Sequence, residues 1–277
     1  MAENYLMARR IAHNRHHLNS QALLPVYASI AVLASAEALL AHATRLAQTL
    51  KLPLVAPERS QGFRYLLVPT PERLELRDNG NPRTRALYVD ASWVARQHAR
   101  LRITRQQPLG RALGVRMRRV IDATAGFGED TFLLAAMGYE VTAVERCRVV
   151  AALLEDGVTR ASKQVALQSI IGRRVSVVTG DARQVIPQLA CKPDSIYLDP
   201  MFPPKRRSSA LARKPLRVLR DLAGNDDDAV ELLQVCLRHA THRVVVKRPP
   251  HAPPLRPVPS MTYSGKLARY DVYLVST

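Results

Sequence analysis

Aromatic residues are scarce in this chain, at 5% of 277, with one tryptophan and four phenylalanines. That scarcity excludes a sheet that stacks several bases at once, as single-strand RNA platforms do. Only three cysteines occur (Cys147, Cys191 and Cys236), with no CxxC and no paired spacing. They supply neither a thiolate metal site nor a disulfide frame, indicate a reducing compartment, and read as small apolar filler. Long hydrophobic runs are missing too. Ala22 to Ala34 comes nearest, behind Arg9, Arg10 and Arg15, and Ala34-Ser35-Ala36 resembles a signal-peptidase site. Pro25 interrupts that run, and Glu37 and His42 follow it, so it reads as neither a membrane span nor an export leader. The expected location is the cytoplasm. Acids are outnumbered, 23 against 41 Lys and Arg, for a net charge of +18. An excess of that size implies a polyanionic partner, nucleic acid before membrane.

What is present divides the chain. Residues 1–21 form a basic leader expected to be disordered, in which His13, His16 and His17 belong to the arm rather than to a metal site. Residues 22–90 read as a small α+β lobe. It has a strand at Leu24–Tyr27, an amphipathic helix over Ser35–Leu50 capped by Ser35, and a strand at Leu52–Val55. A hairpin follows, Tyr65–Val68 and Leu74–Leu76 about Pro69-Thr70-Pro71-Glu72, continued by Ala86–Val89. Residues 91–119 form a basic connecting segment. From Ala91 to Ile121 there is no acid, while Arg96, Arg100, Arg102, Arg105, Arg111, Arg116, Arg118 and Arg119 suggest a phosphate track.

From residue 120 to 277, strands alternate with helices, which implies an open, mostly parallel sheet with ligands at the strand carboxyl ends. Its first unit, Val120 to Arg146, reads as strand, glycine turn, helix, strand. A turn holding Asp122, Gly126 and Gly128 brings backbone N–H groups to a ligand, and Glu145 can accept both ribose hydroxyls. A dinucleotide fingerprint wants a third glycine where Thr131 stands, and Glu129 and Asp130 would repel a pyrophosphate. The same acids suit S-adenosylmethionine, which carries a sulfonium and an ammonium. After the third strand, Gly180-Asp181-Ala182 sits where a carboxylate can take the adenine amine, or cap the next helix.

The fourth strand, Ser195–Leu198, delivers Asp199-Pro200-Met201-Phe202 beside that turn. Methylating an exocyclic base amine needs acceptors for its hydrogens, because the nitrogen lone pair is delocalised into the ring. Asp199 and a backbone carbonyl fixed by Pro200 can supply them, with Phe202 stacked on the base. Lys205, Arg206 and Arg207 would hold the flanking phosphates, and Arg105 and Lys247 are counted with them as RNA contacts. A fifth strand at His242–Lys247 and an edge strand at Tyr270–Ser276 complete the sheet.

Five stretches, DATAGFGEDTFLLA, VERCRVVAALLEDG, YLDPMFPPKRRSSA, LRVLRDLAG and VVVKRPPHAPPL, resemble the bacterial small-subunit ribosomal RNA guanine-N2 methyltransferases of the RsmJ type. The resemblance starts near Leu23 and is densest from Asp122 onward. It implies a Rossmann-like class I methyltransferase: a mostly parallel seven-stranded sheet with helices on both faces, beside the small lobe. It implies methyl transfer from S-adenosylmethionine to N2 of one guanine, with small-subunit ribosomal RNA or the assembled subunit as partner and without metal or membrane. By position, the family's cofactor contacts fall on Glu129-Asp130, Glu145-Arg146, Asp181-Ala182 and Asp199. Glu129 and the Asp181-Ala182 pair depart from the family pattern. Families that methylate adenine amines or glutamine amides favour a tyrosine-ended catalytic turn, where this chain has Met201 and Phe202. A basic RNA-binding assembly factor without catalysis is the reading from another class. Asp122, Gly126, Gly128, Asp130, Glu145 and Asp199 standing together argue against it.

Overall fold

The computed structural model describes residues 29–100, 103–201, 214–224, 228–255 and 258–275. The basic leader, the strand expected at Leu24–Tyr27, and Phe202, Lys205, Arg206 and Arg207 lie outside the described residues. Internal contacts divide the chain into two units, Met1–Tyr88 and Val89–Thr277.

The first unit carries β1 (Ile30–Leu33), α1 (Leu40–Leu50), β2 (Leu54–Val55), β3 (Tyr65–Pro69) and β4 (Leu74–Asp78). Its sheet runs β2-β1-β3-β4, with β1 parallel to both neighbours and β3 antiparallel to β4. The end of the apolar run weighed above as a leader is β1, and all four of its residues are buried. That pattern suits a central strand with both faces covered. Ser35 does not cap the helix. Its hydroxyl donates to the Pro69 carbonyl, and the chain enters α1 through a 3-10 turn at Glu37–Leu39. Ala43, Ala47 and Leu50 then bury one helical face.

In the second unit the acid-free segment carries two short helices, α2 (Ser92–Ala99) and α3 (Pro108–Leu113). The strands and helices alternate from there: β5 (Arg119–Asp122), α4 (Glu129–Ala136), β6 (Glu140–Glu145), α5 (Arg148–Lys163), α6 (Val165–Gln168), β7 (Val175–Thr179), α7 (Ala182–Val185) and β8 (Ser195–Leu198). They are followed by α8 (Lys214–Ala223), α9 (Ala229–His239), β9 (Arg243–Arg248), β10 (Met261–Ser264) and β11 (Arg269–Leu274). The seven-stranded order is β10-β11-β9-β8-β5-β6-β7, parallel from β9 to β7. Helices flank a Rossmann-like sheet, as expected.

The last strand is not an edge. β11 lies between β9 and β10, antiparallel to both. Its Asp271 is fully buried and is held there by Arg269 at 2.7 Å. Continuous burial along Ile196, Tyr197, Leu198, Val244, Val245 and Val246 marks β8 and β9 as the middle of the sheet. Chain order reverses at β5, which has β6 on one side and β8 on the other. The carboxyl ends of these three strands therefore open the crevice where such folds bind ligands.

Candidate active site

Gly126 and Gly128 form the turn between β5 and α4 with φ of 53° and 80°. Both lie in the left-handed region that glycine adopts without Cβ strain. At Gly128 a Cβ would stand 2.4 Å from the Leu154 side chain, so α4 starts in close contact with α5. The turn is fastened across to β6. The Gly126 N–H donates to Glu145 Oε2 at 2.8 Å, and the Cys147 N–H donates to Oε1 at 2.7 Å. Glu145 is thus buried but braced through both oxygens, and it still lines the cleft.

Gly126, Glu145, Arg146, Asp181, Ala182 and Asp199 share the wall of one cleft, joined by Met201 and by Leu219 of α8. Six sequence-expected residues from four strand ends therefore meet. The others stand elsewhere. Glu129 is exposed at the first position of α4, and Pro200 is buried under the Asp199 turn.

Asp122 needs correction as a cofactor contact. It is 1% exposed, accepts the Thr131 hydroxyl at 2.6 Å and the Thr124 N–H at 3.3 Å, and stands outside the cleft wall. Burial first, then the negative Asp130 and Asp199, push its carboxyl up to about 7 against the Thr131 hydrogen bond. Thr131 in turn gives a reason for the missing third glycine, because its buried hydroxyl is the brace that Asp122 uses.

Asp130 also faces inward rather than toward the glycine turn. Its Oδ2 accepts the Tyr197 hydroxyl at 2.6 Å and the Lys247 ammonium at 2.7 Å. Lys247 reaches Asp199 Oδ2 at 2.9 Å as well, so one cation bridges the acid of α4 and the acid that ends β8. Burial opposes its charge, but Asp199 and Asp130 outweigh burial and hold the ammonium well above the ordinary lysine range. Burial and the same two carboxylates keep the Tyr197 hydroxyl protonated. The Asp199 backbone N–H donates to the Thr124 hydroxyl at 2.6 Å, which ties the fourth-strand turn to the first. Lys247, expected on the RNA side, is therefore part of the site. Tyr197 and Thr124 escaped the sequence reading because they lie inside motifs read for other residues.

At the opposite end, Asp181 caps α7 by accepting the Arg183 N–H at 2.9 Å, and its carboxylate pairs with the Arg183 guanidinium at 2.6 Å. That hydrogen bond holds the Asp181 carboxyl below its usual range. Arg183 reaches Asp228 and Glu231, and Arg146 reaches Asp228 and the Ala223 carbonyl, so α8 and α9 are fastened over β6 and β7. Asp181 and Arg146 of this cluster carried a sequence signal, whereas Arg183 and Glu231 did not.

Arg105 is the other correction. Its guanidinium donates to the carbonyls of Met137, Gly138, Val115 and Met117 and lies 4.1 Å over the Tyr139 ring. This arrangement clamps loops together and leaves the side chain turned into the fold, not toward an RNA strand. Among the described residues no group of His, Cys, Asp or Glu could hold a metal ion, and no helix is long and apolar enough to cross a membrane.

Comparison with known proteins places this geometry. Residues 45–275 match the family model described as "Putative SAM-dependent methyltransferase". The ribosomal RNA small subunit methyltransferase J of Coxiella burnetii (strain RSA 331 / Henzerling II) is 42% identical over 252 residues, covering 89% of this chain and 97% of that protein. The protein of the same name from Aeromonas salmonicida (strain A449) is 44% identical over 217 residues, covering 76% and 87%. The crystal structure of an S-adenosylmethionine-dependent methyltransferase from Neisseria gonorrhoeae aligns with a TM-score of 0.66 at 32% identity, covering 88% and 95%. With relatives this similar over most of its length, the protein belongs to the S-adenosylmethionine-dependent methyltransferase family that includes the ribosomal RNA small subunit methyltransferases J.

Proposed function

We propose that the chain transfers a methyl group from S-adenosylmethionine to the exocyclic N2 amine of one guanine in small-subunit ribosomal RNA, with Asp199 at the amine. The observation that carries this reading is the shared cleft. Glu145 and Asp199 end neighbouring parts of one parallel sheet and line the same opening, with the glycine turn between them.

The residues present fit the cofactor. Gly126 lines the cleft at φ 53°, where a Cβ would fill the cradle toward Leu219. Glu145 would hold the ribose hydroxyls, Ala182 and the Asp181 turn would meet the adenine, and Arg146 lies on the same wall. When bound, the cofactor supplies an electrophilic methyl on a cationic sulfur. Glu145 and Asp199 on the cleft wall favour such a ligand over a pyrophosphate.

Asp199 accepts a hydrogen of the guanine amine and draws the nitrogen toward tetrahedral geometry. The amine nitrogen would take the methyl that the bound cofactor supplies, leaving the electron pair of the old bond with the cofactor's sulfur, and the amine proton would pass to the Asp199 carboxylate or to water. The remaining work is alignment of nitrogen, carbon and sulfur. The base has to leave its stack first. Phe202 would then stack on it, while Lys205, Arg206 and Arg207 hold the neighbouring phosphates. The net charge of +18 supports a polyanionic substrate. A ribosomal RNA substrate supports a cytoplasmic location.

The test is Asp199→Ala. Affinity for S-adenosylhomocysteine by calorimetry should stay within a few-fold, while transfer to small subunits from a strain lacking the gene is abolished. Nucleoside mass spectrometry of those subunits should show N2-methylguanine restored by the wild type alone. Restoration by the mutant, or a methylated adenine in its place, refutes the assignment.

A further inference from the structure

Two carboxylates converge on a single ammonium beneath the proposed acceptor position, and a third is buried close to them. Asp122 ends β5, Asp130 lies in the first turn of α4, and Asp199 ends β8. Lys247 reaches two of them directly, at 2.7 Å and 2.9 Å. Its place is set by the sheet. Lys247 is on β9, next to β8 on one side and opposite Tyr270 of β11 on the other. A four-carbon stem rising from the centre of a parallel sheet can bridge an acid on the neighbouring strand and one on a helix above it. No exposed surface lysine could hold such a geometry without losing its side-chain freedom.

Among the described residues, the groups around the ammonium are carboxylates and tyrosine hydroxyls. Asp122, Asp130 and Asp199 are carboxylates, and Tyr197 and Tyr270 are hydroxyls raised above their ordinary range, in both cases by burial first and by these acids next. Two carboxylates drawn this close repel each other, and the ammonium between them offsets that repulsion. A protonated Asp199 would accept poorly from an amine.

We propose that Lys247 is a positioning residue of the methyl-transfer site, acting through Asp199, which it holds charged and oriented, with Asp130 and the Tyr197 hydroxyl as the anchor that keeps the ammonium in place. This inference rests on the proposed role of Asp199. It also replaces the expectation that Lys247 contacts RNA. A phosphate contact would be turned outward and unpaired, whereas this ammonium is directed to two acids within the fold.

The experiment measures the pH dependence of single-turnover methyl transfer by the full-length protein, with small ribosomal subunits from a strain lacking the gene as substrate. Compared are the wild type, Lys247→Met, Lys247→Arg and Asp130→Asn. Calorimetric titration with S-adenosylhomocysteine checks that each variant is folded and keeps its cofactor site. Lys247→Met should lower the rate constant about a hundredfold at pH 7, the scale seen when one oriented donor is removed from a reacting site. Its acidic limb should move upward by about 1–3 pH units, because the cation that kept Asp199 ionised is gone. Lys247→Arg should keep the wild-type limb with a smaller loss of rate. Asp130→Asn should lower the rate without raising the limb, since the cation stays and one competing anion is removed.

A superimposable pH profile for Lys247→Met overturns the proposal. So does a raised KM for the subunit with unchanged rate and a shallower salt dependence, the signature of a phosphate contact. Failure of Lys247→Met to fold leaves Lys247→Arg decisive, because an upward limb in a variant that retains the positive charge refutes the mechanism. Absence of N2-methylguanine from the wild-type reaction would refute the proposed reaction itself, and it is read separately from the variants.

Discussion

Asp122 offers a test of the site that needs no substrate. Its carboxyl is pushed up to about 7 from an ordinary value of 3.8. The folded protein therefore binds a proton there more tightly than the unfolded chain, and stability falls as pH rises between these two values. The neutral carboxyl's contribution is full below the unfolded value and is lost as pH rises through the folded one. At roughly 1.4 kcal/mol per unit, the shift sums to about 4 kcal/mol, of which about 2–3 kcal/mol falls between pH 5 and pH 8. Asp122→Asn removes the titration and keeps the shape. An asparagine can accept from the Thr124 N–H and donate to the Thr131 hydroxyl, which rotates to become the acceptor, so both partners stay satisfied. Urea unfolding of both proteins from pH 5 to pH 8 should give a mutant that gains about 2–3 kcal/mol on the wild type across that window. Parallel stability curves would show that Asp122 is ionised throughout, and the view of it as a buried, proton-holding brace would fall.

Two further substitutions probe the same architecture. Glu145→Gln turns one carboxylate oxygen into an amide nitrogen facing the Gly126 or Cys147 N–H, so it should weaken S-adenosylhomocysteine binding about ten- to hundredfold. Unchanged calorimetric affinity would mean that the glutamate only braces the turn. Arg105→Ala orphans four carbonyls and should cost about 2–3 kcal/mol of stability, a drop of several degrees in thermal unfolding, with no change in the salt slope of RNA binding. A stable mutant with a shallower slope would restore its expected role on RNA.

The parts of this fold that could be read in advance are those whose signal is local. The glycine turn, the alternation of strands and helices, and an acid at the end of β6 and of β8 each announce themselves within a few residues. Strand β10 did not, because Met261–Ser264 is short, mostly exposed and preceded by a proline-rich connection. Strand β1 hid inside an apolar run that composition alone leaves open between leader and core. Arg105 and Lys247, expected on the RNA side, turn to carbonyls and carboxylates of the fold for a different reason. Charge is visible in a sequence, but its direction is not, and a basic side chain on an acid-free stretch looks the same whether it faces phosphate or four carbonyls.

That distinction resolves a tension in the molecule. A chain with a net charge of +18 has to attract a polyanion, yet its cleft has to admit a cofactor whose reactive end is a cation. Acids gathered without compensation would repel the RNA at the point where it has to enter. Here the acids are tethered one by one. Asp181 is matched by Arg183, Asp130 and Asp199 share Lys247, Glu145 is held by two backbone N–H groups, and Asp122 is largely neutralised by burial. Such pairing leaves little field beyond a few ångströms, within which a sulfonium still meets carboxylate oxygens. Lys247, which looks from the sequence like an RNA contact, therefore works at short range to make two of these acids compatible with that polyanion.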